Sequence, residues 1–191
     1  MPGELEGKRV AVLVAEGFEQ VEMTEPRKAL EAAGAKVEIV SPSGTCVQGW
    51  HHFEKADKFH VNVPLESAHS SDFDALMLPG GVANPDQLRM NPKAVTFVKS
   101  FFTEGKPVAA ICHAPWLLLE AGVVRGRQIT SWPSLKTDLM NAGAKWVDQA
   151  VVVDNGLITS RKPGDIPEFN KQMIEEFRHA QEAVGSPGGR S

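Results

Sequence analysis

The sequence of 191 residues lacks the features that are typical of membrane proteins, secreted proteins and disulfide-rich proteins. It has no apolar run that approaches the roughly 18 residues of a membrane-spanning helix, and its first residues lack the apolar core of a signal peptide. It contains two cysteines, Cys46 and Cys112, which are too few for a disulfide framework. We therefore expect a soluble cytoplasmic protein without a membrane partner, in which both cysteines are thiols.

An excess of charge of one sign is also absent. The chain has 20 basic and 24 acidic side chains, and its formal net charge is -4. It shows neither a basic stripe nor a run in which aromatic and basic residues alternate. We therefore do not expect nucleic acid as a partner.

Motifs for cofactors are missing as well. No glycine-rich phosphate loop follows a predicted strand, and no cluster of Cys and His has the spacing of metal ligands. The adjacent residues His51 and His52 would suggest a metal only if a carboxylate or Cys46 came close to them. We expect no cofactor and no metal.

What the sequence does contain is an alternation of short apolar runs with amphipathic stretches. The β-branched run at 10–14 predicts a buried strand, residues 19–33 predict a helix that ends at Gly34, and 37–40 predicts a second strand. The helix between them suits a right-handed parallel crossover. The same pattern predicts further strands at 75–78, 107–111, 128–131, 151–153 and 157–160, and helices at 92–104, 114–121 and 166–184.

This order predicts an α/β fold: a single-domain, flavodoxin-like sandwich with a mostly parallel central sheet and helices on both faces. The polar stretch 41–71 interrupts the alternation, and we predict a hairpin and loops there. One domain is expected over 8–184. The tail 185–191 has no apolar anchor and is predicted to be disordered.

Three loops follow predicted strands at their carboxyl ends, at 15–22, 79–86 and 112–115. In parallel α/β sheets, ligands bind outside these ends. We therefore expect a carboxylate-rich loop, a glycine pair and a thiol to meet at one edge of the sheet.

The thiol is Cys112, which follows an apolar strand, precedes a helix and has His113 directly after it. This is the layout of a nucleophile elbow. The N–H groups and dipole of a helix N-terminus favour a thiolate, which predicts a pKa below the value of about 8.5 of a free thiol. Free cysteine is also among the most buried side chains, so an inert core residue is an equally good interpretation of the local sequence.

Several ordered motifs carry a resemblance to a known family. They are AEGFEQVE at 15–22, FDALMLPGG at 73–81 and GKPVAAICHAP at 105–115, with MNAGA at 140–144 and VVVD at 151–154. Over about residues 8–180 the chain resembles the PfpI/DJ-1 superfamily, which has a class I glutamine amidotransferase-like fold, and within it the PfpI-like branch.

The resemblance implies that Cys112 is the nucleophile, that Glu22 hydrogen-bonds to it, and that Glu19 is a further acidic group beside them. An ionised carboxylate would repel a thiolate, so the useful form of Glu22 is the protonated one, which can donate to sulfur. The two protons would then titrate as a coupled pair. Without the resemblance, Glu22 is better interpreted as a charge on an exposed helix face.

His113 matches a histidine of the PfpI-like branch that can serve as a general acid or base. Adjacent residues need not point at each other, so a role in packing is the other interpretation. In the family an acidic residue from a neighbouring subunit orients this histidine, and Asp86 is the best match here. Its side chain is shorter than the glutamate of other members, and its reach, within or across subunits, stays open.

The pair Gly80 and Gly81 matches the positions whose backbone N–H groups form an oxyanion hole, with help from the N–H of His113. A plain Pro-Gly-Gly turn is the other interpretation. Ala114 stands where many relatives have glycine. We expect Trp116 and Trp132 to contact the pocket.

The function that the resemblance implies is that of a stress-response hydrolase of the glyoxalase III or deglycase type. It would act on small dicarbonyls or early glycation adducts on proteins, through a thiohemiacetal on Cys112 and without a cofactor. Two alternatives stay open: an intracellular cysteine peptidase that uses Cys112, His113 and Asp86, and a redox sensor or chaperone whose Cys112 becomes oxidised. The resemblance also implies self-association into a dimer or hexamer.

Overall fold

The computed structural model describes residues 1–184, and of residues 181–184 it describes the backbone alone. The tail predicted at 185–191 lies outside the described residues. Within residues 1–184 the chain forms twelve strands, six α-helices and four short 3-10 helices. The strands are β1 (Arg9–Leu13), β2 (Phe18–Glu19), β3 (Lys36–Ser41), β4 (Cys46–His51), β5 (Glu54–His60), β6 (Val63–Pro64), β7 (Ala75–Leu78), β8 (Val108–Ile111), β9 (Gln128–Ile129), β10 (Lys145–Trp146), β11 (Val151–Asp154) and β12 (Leu157–Ser160). The helices are α1 (Gln20–Ala32), α2 (Ala83–Arg89), α3 (Pro92–Thr103), α4 (Pro115–Glu120), α5 (Lys136–Asn141) and α6 (Ile166–Val184).

A seven-stranded sheet forms the centre of the fold, in the order β11-β12-β8-β7-β1-β3-β6. Neighbouring strands are parallel except β11 and β12, which pair antiparallel at one edge. The predicted α/β fold with a mostly parallel sheet is therefore confirmed.

Helices cover both faces of this sheet because successive side chains of a strand point to opposite faces. Val12 of β1 belongs to one buried apolar cluster with Met23 of α1 and Phe169 of α6. The next residue, Leu13, belongs to the other cluster, together with Phe101 of α3. Since both faces are buried, the central strands are apolar along their whole length, and this explains the continuous apolar runs of the sequence.

Helix α6 covers one face of the sheet over 19 residues. Its residues Phe169, Met173 and Phe177 recur every four positions and are completely buried, as expected for an amphipathic helix. No helix within residues 1–184 combines the length and the apolar character needed to cross a bilayer.

The strand predicted at 128–131 is present but is shorter than predicted. Strand β9 ends at Ile129 and pairs with β10 in a separate two-stranded sheet. The chain does not continue as a strand beyond Ile129, because the N–H groups of Thr130 and Trp132 donate hydrogen bonds to groups outside a strand partner. The N–H of Thr130 donates to the Thr159 hydroxyl, and the N–H of Trp132 donates to the carbonyl of Cys112.

The hairpin predicted within 41–71 is formed by β4 and β5, which pair antiparallel. Strand β4 also pairs with β2, with Trp50 opposite Glu19. The tip of the hairpin, at 51–54, therefore lies beside the loop that follows β1. This contact sets up part of the pocket described below.

Candidate active site

A pocket of about 730 Å³ opens at the carboxyl edge of the central sheet, where the loops after β1, β7 and β8 meet. Pockets that bind small molecules have volumes of this order. Its walls combine acidic, aromatic and glycine residues: Glu16, Gly17, Glu19, Glu22, Trp50, His52, Phe53, Gly81, Val82, Ala83, Asp86, Gln87, Cys112, His113, Trp132 and Pro163.

Cys112 lies between the end of β8 and the start of α4, in a left-handed backbone conformation with φ of 64°. Its N–H donates to the carbonyl of Ser160 at 3.0 Å, and its own carbonyl accepts from the N–H of Trp132 at 2.9 Å. These two bonds hold an unusual backbone angle for a residue with a side chain. The residue is 7% exposed and lines the pocket.

The pKa of the Cys112 thiol is raised, contrary to the lowered value that the sequence predicted. Burial is the largest cause and the charge of Glu22 the second, while the N–H groups of Gly81 and His113 act in the opposite direction. A helix terminus contributes at most about 2 kcal/mol, whereas the burial of a charge costs several kcal/mol. Burial therefore outweighs the helix, and the resting group is a thiol.

Glu22 lies on α1 and is completely buried. Burial, followed by the charge of Glu19, raises its pKa to about 8, while Cys112 and the amides of Gly80 and Gly81 lower it to a smaller extent. Within the described part of the chain, neither carboxyl oxygen has a hydrogen-bond partner of good geometry. Glu22 is therefore protonated at neutral pH and carries no charge beside the sulfur.

The two glycines after β7 have different positions in the site. A methyl group on Gly80 would lie 2.6 Å from Glu22 Oε1 and 2.7 Å from Cys112 Cβ, so a side chain has no room there. Gly81 has φ of +81°, lines the pocket, and its N–H points toward the sulfur. The N–H groups of both glycines lie near Glu22, and of the predicted pair the N–H of Gly81 is the one that also lies near the sulfur.

Asn84 holds this glycine loop in place, and the sequence analysis missed it. The residue is completely buried. Its Oδ1 accepts from the N–H of Ala15 at 2.6 Å, and its Nδ2 donates to the carbonyls of Pro79 and Gly80 at 3.0 and 3.1 Å. One side chain thereby joins the loops that follow β1 and β7. The only signal in the sequence is an uncharged amide that follows Pro-Gly-Gly closely.

His113 does point at its neighbour, since its Nδ1 lies 3.2 Å from Cys112 Sγ. Its ring stacks on Trp132 at 5.8 Å and meets the edge of Trp116 at 5.2 Å. Burial lowers the pKa of His113, so the imidazole is neutral at pH 7 and can accept a proton. Trp132 lines the pocket as expected, whereas Trp116 does not: it packs against His113, and its Nε1 donates to Asp138 at 3.2 Å.

Asp86 lies on α2, is exposed and lines the same pocket. No hydrogen bond or ion pair links it to His113 within residues 1–180. The described chain by itself therefore does not form a Cys-His-Asp arrangement.

The hairpin of β4 and β5 supplies a wall that the sequence analysis did not assign to the site. Trp50 and Phe53 line the pocket from this hairpin, and Glu19 lies at its base. The carboxylate of Glu19 accepts from the N–H of His52 at 3.1 Å. Cys46, at the other end of β4, is exposed and does not line this pocket.

Comparison with known proteins supports the relationship that these motifs suggest. A model described as the DJ-1/PfpI family matches residues 8–176. A deglycase of Pyrococcus abyssi is 42% identical over 167 residues, which are 87% of this chain and 98% of the relative. General stress protein 18 of Bacillus subtilis is 43% identical over 170 residues, or 88% of this chain and 96% of the relative.

This chain is also similar to a solved structure. The crystal structure of DJ-1beta from Drosophila melanogaster has a TM-score of 0.80 and 30% identity, and the match covers 93% of this chain and 97% of that chain. Since the family model and the relatives match most of the chain, this protein belongs to the DJ-1/PfpI family.

Proposed function

We propose that this protein is a cysteine-dependent enzyme that acts on small reactive dicarbonyls, or on the early adducts that they form on proteins. The observation that carries the proposal is the contact of 3.2 Å between Cys112 Sγ and His113 Nδ1, two residues that line a pocket of about 730 Å³. The similarity to a relative named as a deglycase supports the same conclusion.

The thiol does not need to be ionised in advance. Burial raises the pKa of Cys112 and lowers the pKa of His113, so both groups are neutral at rest. A neutral imidazole at hydrogen-bond distance can take the proton while the sulfur attacks, and no isolated charge has to be buried first. Protonated Glu22 adds no like charge beside the reacting sulfur.

The proposed first step is addition to an aldehyde. A sulfur electron pair of Cys112 forms a bond to the aldehyde carbon, the π electrons of the C=O bond move to oxygen, and the thiol proton passes through His113 to that oxygen. The product is a thiohemiacetal. The N–H groups of Gly81 and His113, which lie near the sulfur, would stabilise the negative charge that develops on oxygen.

The proposed second stage releases an acid and returns the thiol. With methylglyoxal, a proton moves from the carbon attached to sulfur to the neighbouring carbonyl carbon, and the hydroxyl proton moves to the oxygen of that carbonyl. The thiohemiacetal thereby becomes a thioester of lactate. Water then cleaves the thioester, so methylglyoxal and water give lactate. Neither stage needs an oxidant or a reductant.

The pocket is larger than methylglyoxal requires. Its aromatic walls, Trp50, Phe53 and Trp132, could hold a longer substrate such as a glycated side chain. This is why the proposal includes protein adducts as well as free dicarbonyls.

The experiment is an assay of lactate formed from methylglyoxal by the Cys46→Ser and Cys112→Ala proteins. We expect Cys46→Ser to form lactate at the wild-type rate, because Cys46 lies outside the pocket. Cys112→Ala should form none above the uncatalysed reaction. Equal rates in the two variants would refute the proposal.

A redox sensor is the second candidate, because the surroundings of the sulfur also suit an oxidised cysteine. Two N–H groups and a protonated Glu22 near the sulfur would stabilise the oxygens of a sulfenic or sulfinic acid. Cys112 oxidation by peroxide, together with an absence of dicarbonyl turnover, would favour this candidate. Peptidase activity has less support from the geometry, because no described acidic residue contacts His113. It would require an acid from a second copy of the chain.

We further propose that the protein works in the cytoplasm, where a reducing environment keeps Cys112 as a thiol. Self-association at the pocket rim is proposed as well, because Phe53 and Val82 expose apolar surface there. A dimer or hexamer in a sizing experiment is the expected result.

A further inference from the structure

Three side chains that can bind a metal converge at the rim of the pocket. Among the residues whose side chains the structure describes, Glu19, His51 and His52 are the one group of three with ligand atoms within 4.8 Å of one another. We propose that they form a binding site for a divalent transition-metal ion of the zinc type. The sequence suggested a metal at His51 and His52 only if a carboxylate or Cys46 came close to them, and the carboxylate of Glu19 does.

Strand pairing explains how these residues meet. Pairing of β2 with β4 places Glu19 opposite Trp50, directly before the histidine pair. The turn after β4 then brings His52 back, with φ of 55°, so that its N–H donates to the Glu19 carboxylate. The carboxylate is 12% exposed and is held in place at the base of the hairpin.

The distances within the group leave room for a cation, because the carboxylate and the imidazole nitrogens are too far apart for direct hydrogen bonds. Glu19 Oε1 lies 3.7 Å from Nδ1 of His51 and 3.8 Å from Nδ1 of His52. Both distances exceed the upper limit of about 3.2 Å for an N–H···O bond. They are close to the separation of about 3.3 Å between two ligands of a tetrahedral ion with bonds of 2.0–2.1 Å. The imidazoles of His51 and His52 are 70% and 68% exposed, so small side-chain rotations can bring their nitrogens to the separation that a metal ion requires.

The donor set selects the class of metal. Two imidazole nitrogens and one carboxylate oxygen suit zinc and similar transition metals, whereas calcium and magnesium prefer oxygen ligands alone. The three ligands together carry one negative charge when they bind a metal, so a divalent cation would leave the site with a net charge of +1. Three protein ligands also leave a coordination position open.

The proposed site is linked to Cys112 through the pocket and through charge. Glu19 and His52 line the pocket that contains Cys112. An ion bound there would offset the Glu19 charge, which contributes to the raised pKa of Glu22. The metal would therefore favour ionisation of Glu22 and would alter the pH dependence of the thiol.

The test is a calorimetric titration of the full chain with Zn²⁺. Because thiols bind zinc, it uses a Cys46→Ser, Cys112→Ala background, which makes the result independent of whether the proposed catalysis is correct. We expect one ion per chain. Glu19→Gln and His51→Ala should each weaken binding at least about tenfold, while His60→Ala, an exposed histidine on β5 outside the group, should leave it unchanged.

Two results would overturn the proposal: no zinc binding by the thiol-free protein, or binding that neither Glu19→Gln nor His51→Ala weakens. Because the side chain of His51 is largely exposed, His51→Ala is expected to fold even if Glu19→Gln does not. Circular dichroism on each variant separates loss of a ligand from loss of structure. Co²⁺ in place of Zn²⁺ gives a second readout, since its visible absorption reports the coordination geometry.

Discussion

The coupling between Glu22 and Cys112 can be tested by the substitution Glu22→Gln, which keeps the size of the side chain and removes its charge. Ionised Glu22 raises the pKa of Cys112. The substitution should therefore lower the pKa of the thiol. Because the pKa of Glu22 is about 8, the effect should appear above that pH and be small below it, where Glu22 is already neutral.

The magnitude follows from how close the two groups are. A Cβ atom placed on Gly80 would lie 2.6 Å from Glu22 Oε1 and 2.7 Å from Cys112 Cβ, so the side chains of Glu22 and Cys112 are neighbours. At a separation of about 5 Å and an effective dielectric constant of about 20, two like charges repel by about 3 kcal/mol, or about two pKa units. Above pH 8 the variant should be alkylated up to about 100-fold faster than the parent.

The assay is the rate of alkylation by iodoacetamide between pH 6 and pH 11, in a Cys46→Ser background so that Cys112 alone reacts. Glu25→Gln is the matched control, because Glu25 lies on the same helix and is exposed. Its profile should equal that of the parent. If Glu22→Gln also gave the parent profile, the carboxylate would not control the thiol, and the coupled pair would be refuted.

Three further predictions concern stability, measured by urea denaturation. Burial raises the pKa of Glu22 from 4.5 to about 8, so the folded state keeps a proton that the unfolded chain loses. Between those pH values the parent should therefore lose about 5 kcal/mol of unfolding free energy relative to Glu22→Gln; parallel curves would contradict this. Gly80→Ala should cost about 1–3 kcal/mol because its methyl group has no room, whereas Gly44→Ala, with no atom within 4 Å, should cost far less. Asn84→Ala leaves the buried N–H of Ala15 and the carbonyl of Pro79 without the amide partner, while the Gly80 carbonyl still accepts from the N–H of Glu19. The substitution should cost about 2 kcal/mol or more, and a smaller loss would mean that water replaces the amide.

The fold was largely predictable because its strands are short apolar runs between turn residues. Since the central strands are buried on both faces, their sequences differ sharply from those of the amphipathic helices. The predicted strand was too long at 128–131, where a side-chain hydroxyl and the carbonyl of Cys112 take the amide groups that a strand would use. Such partners are distant in sequence, and no local pattern reports them. The helix predicted at 19–33 is confirmed as α1, which continues through Pro26.

The candidate site was predictable only in part. The meeting of three loops follows from the parallel sheet, and Cys112, Glu22 and Gly81 do lie together there. The direction of the thiol pKa was not predictable, since it depends on how much water reaches the sulfur after packing. Asn84 and the hairpin wall were missed for a similar reason: their contacts join segments whose relative positions only the folded chain defines.

Whether Cys112 itself attacks the carbonyl can be measured by native mass spectrometry of the Cys46→Ser protein mixed with glyoxal. We expect a reversible mass increase equal to one glyoxal per chain, which disappears when Cys112→Ala is added to the same background. An equal increase in both proteins would mean that another side chain reacts and that Cys112 is not the nucleophile.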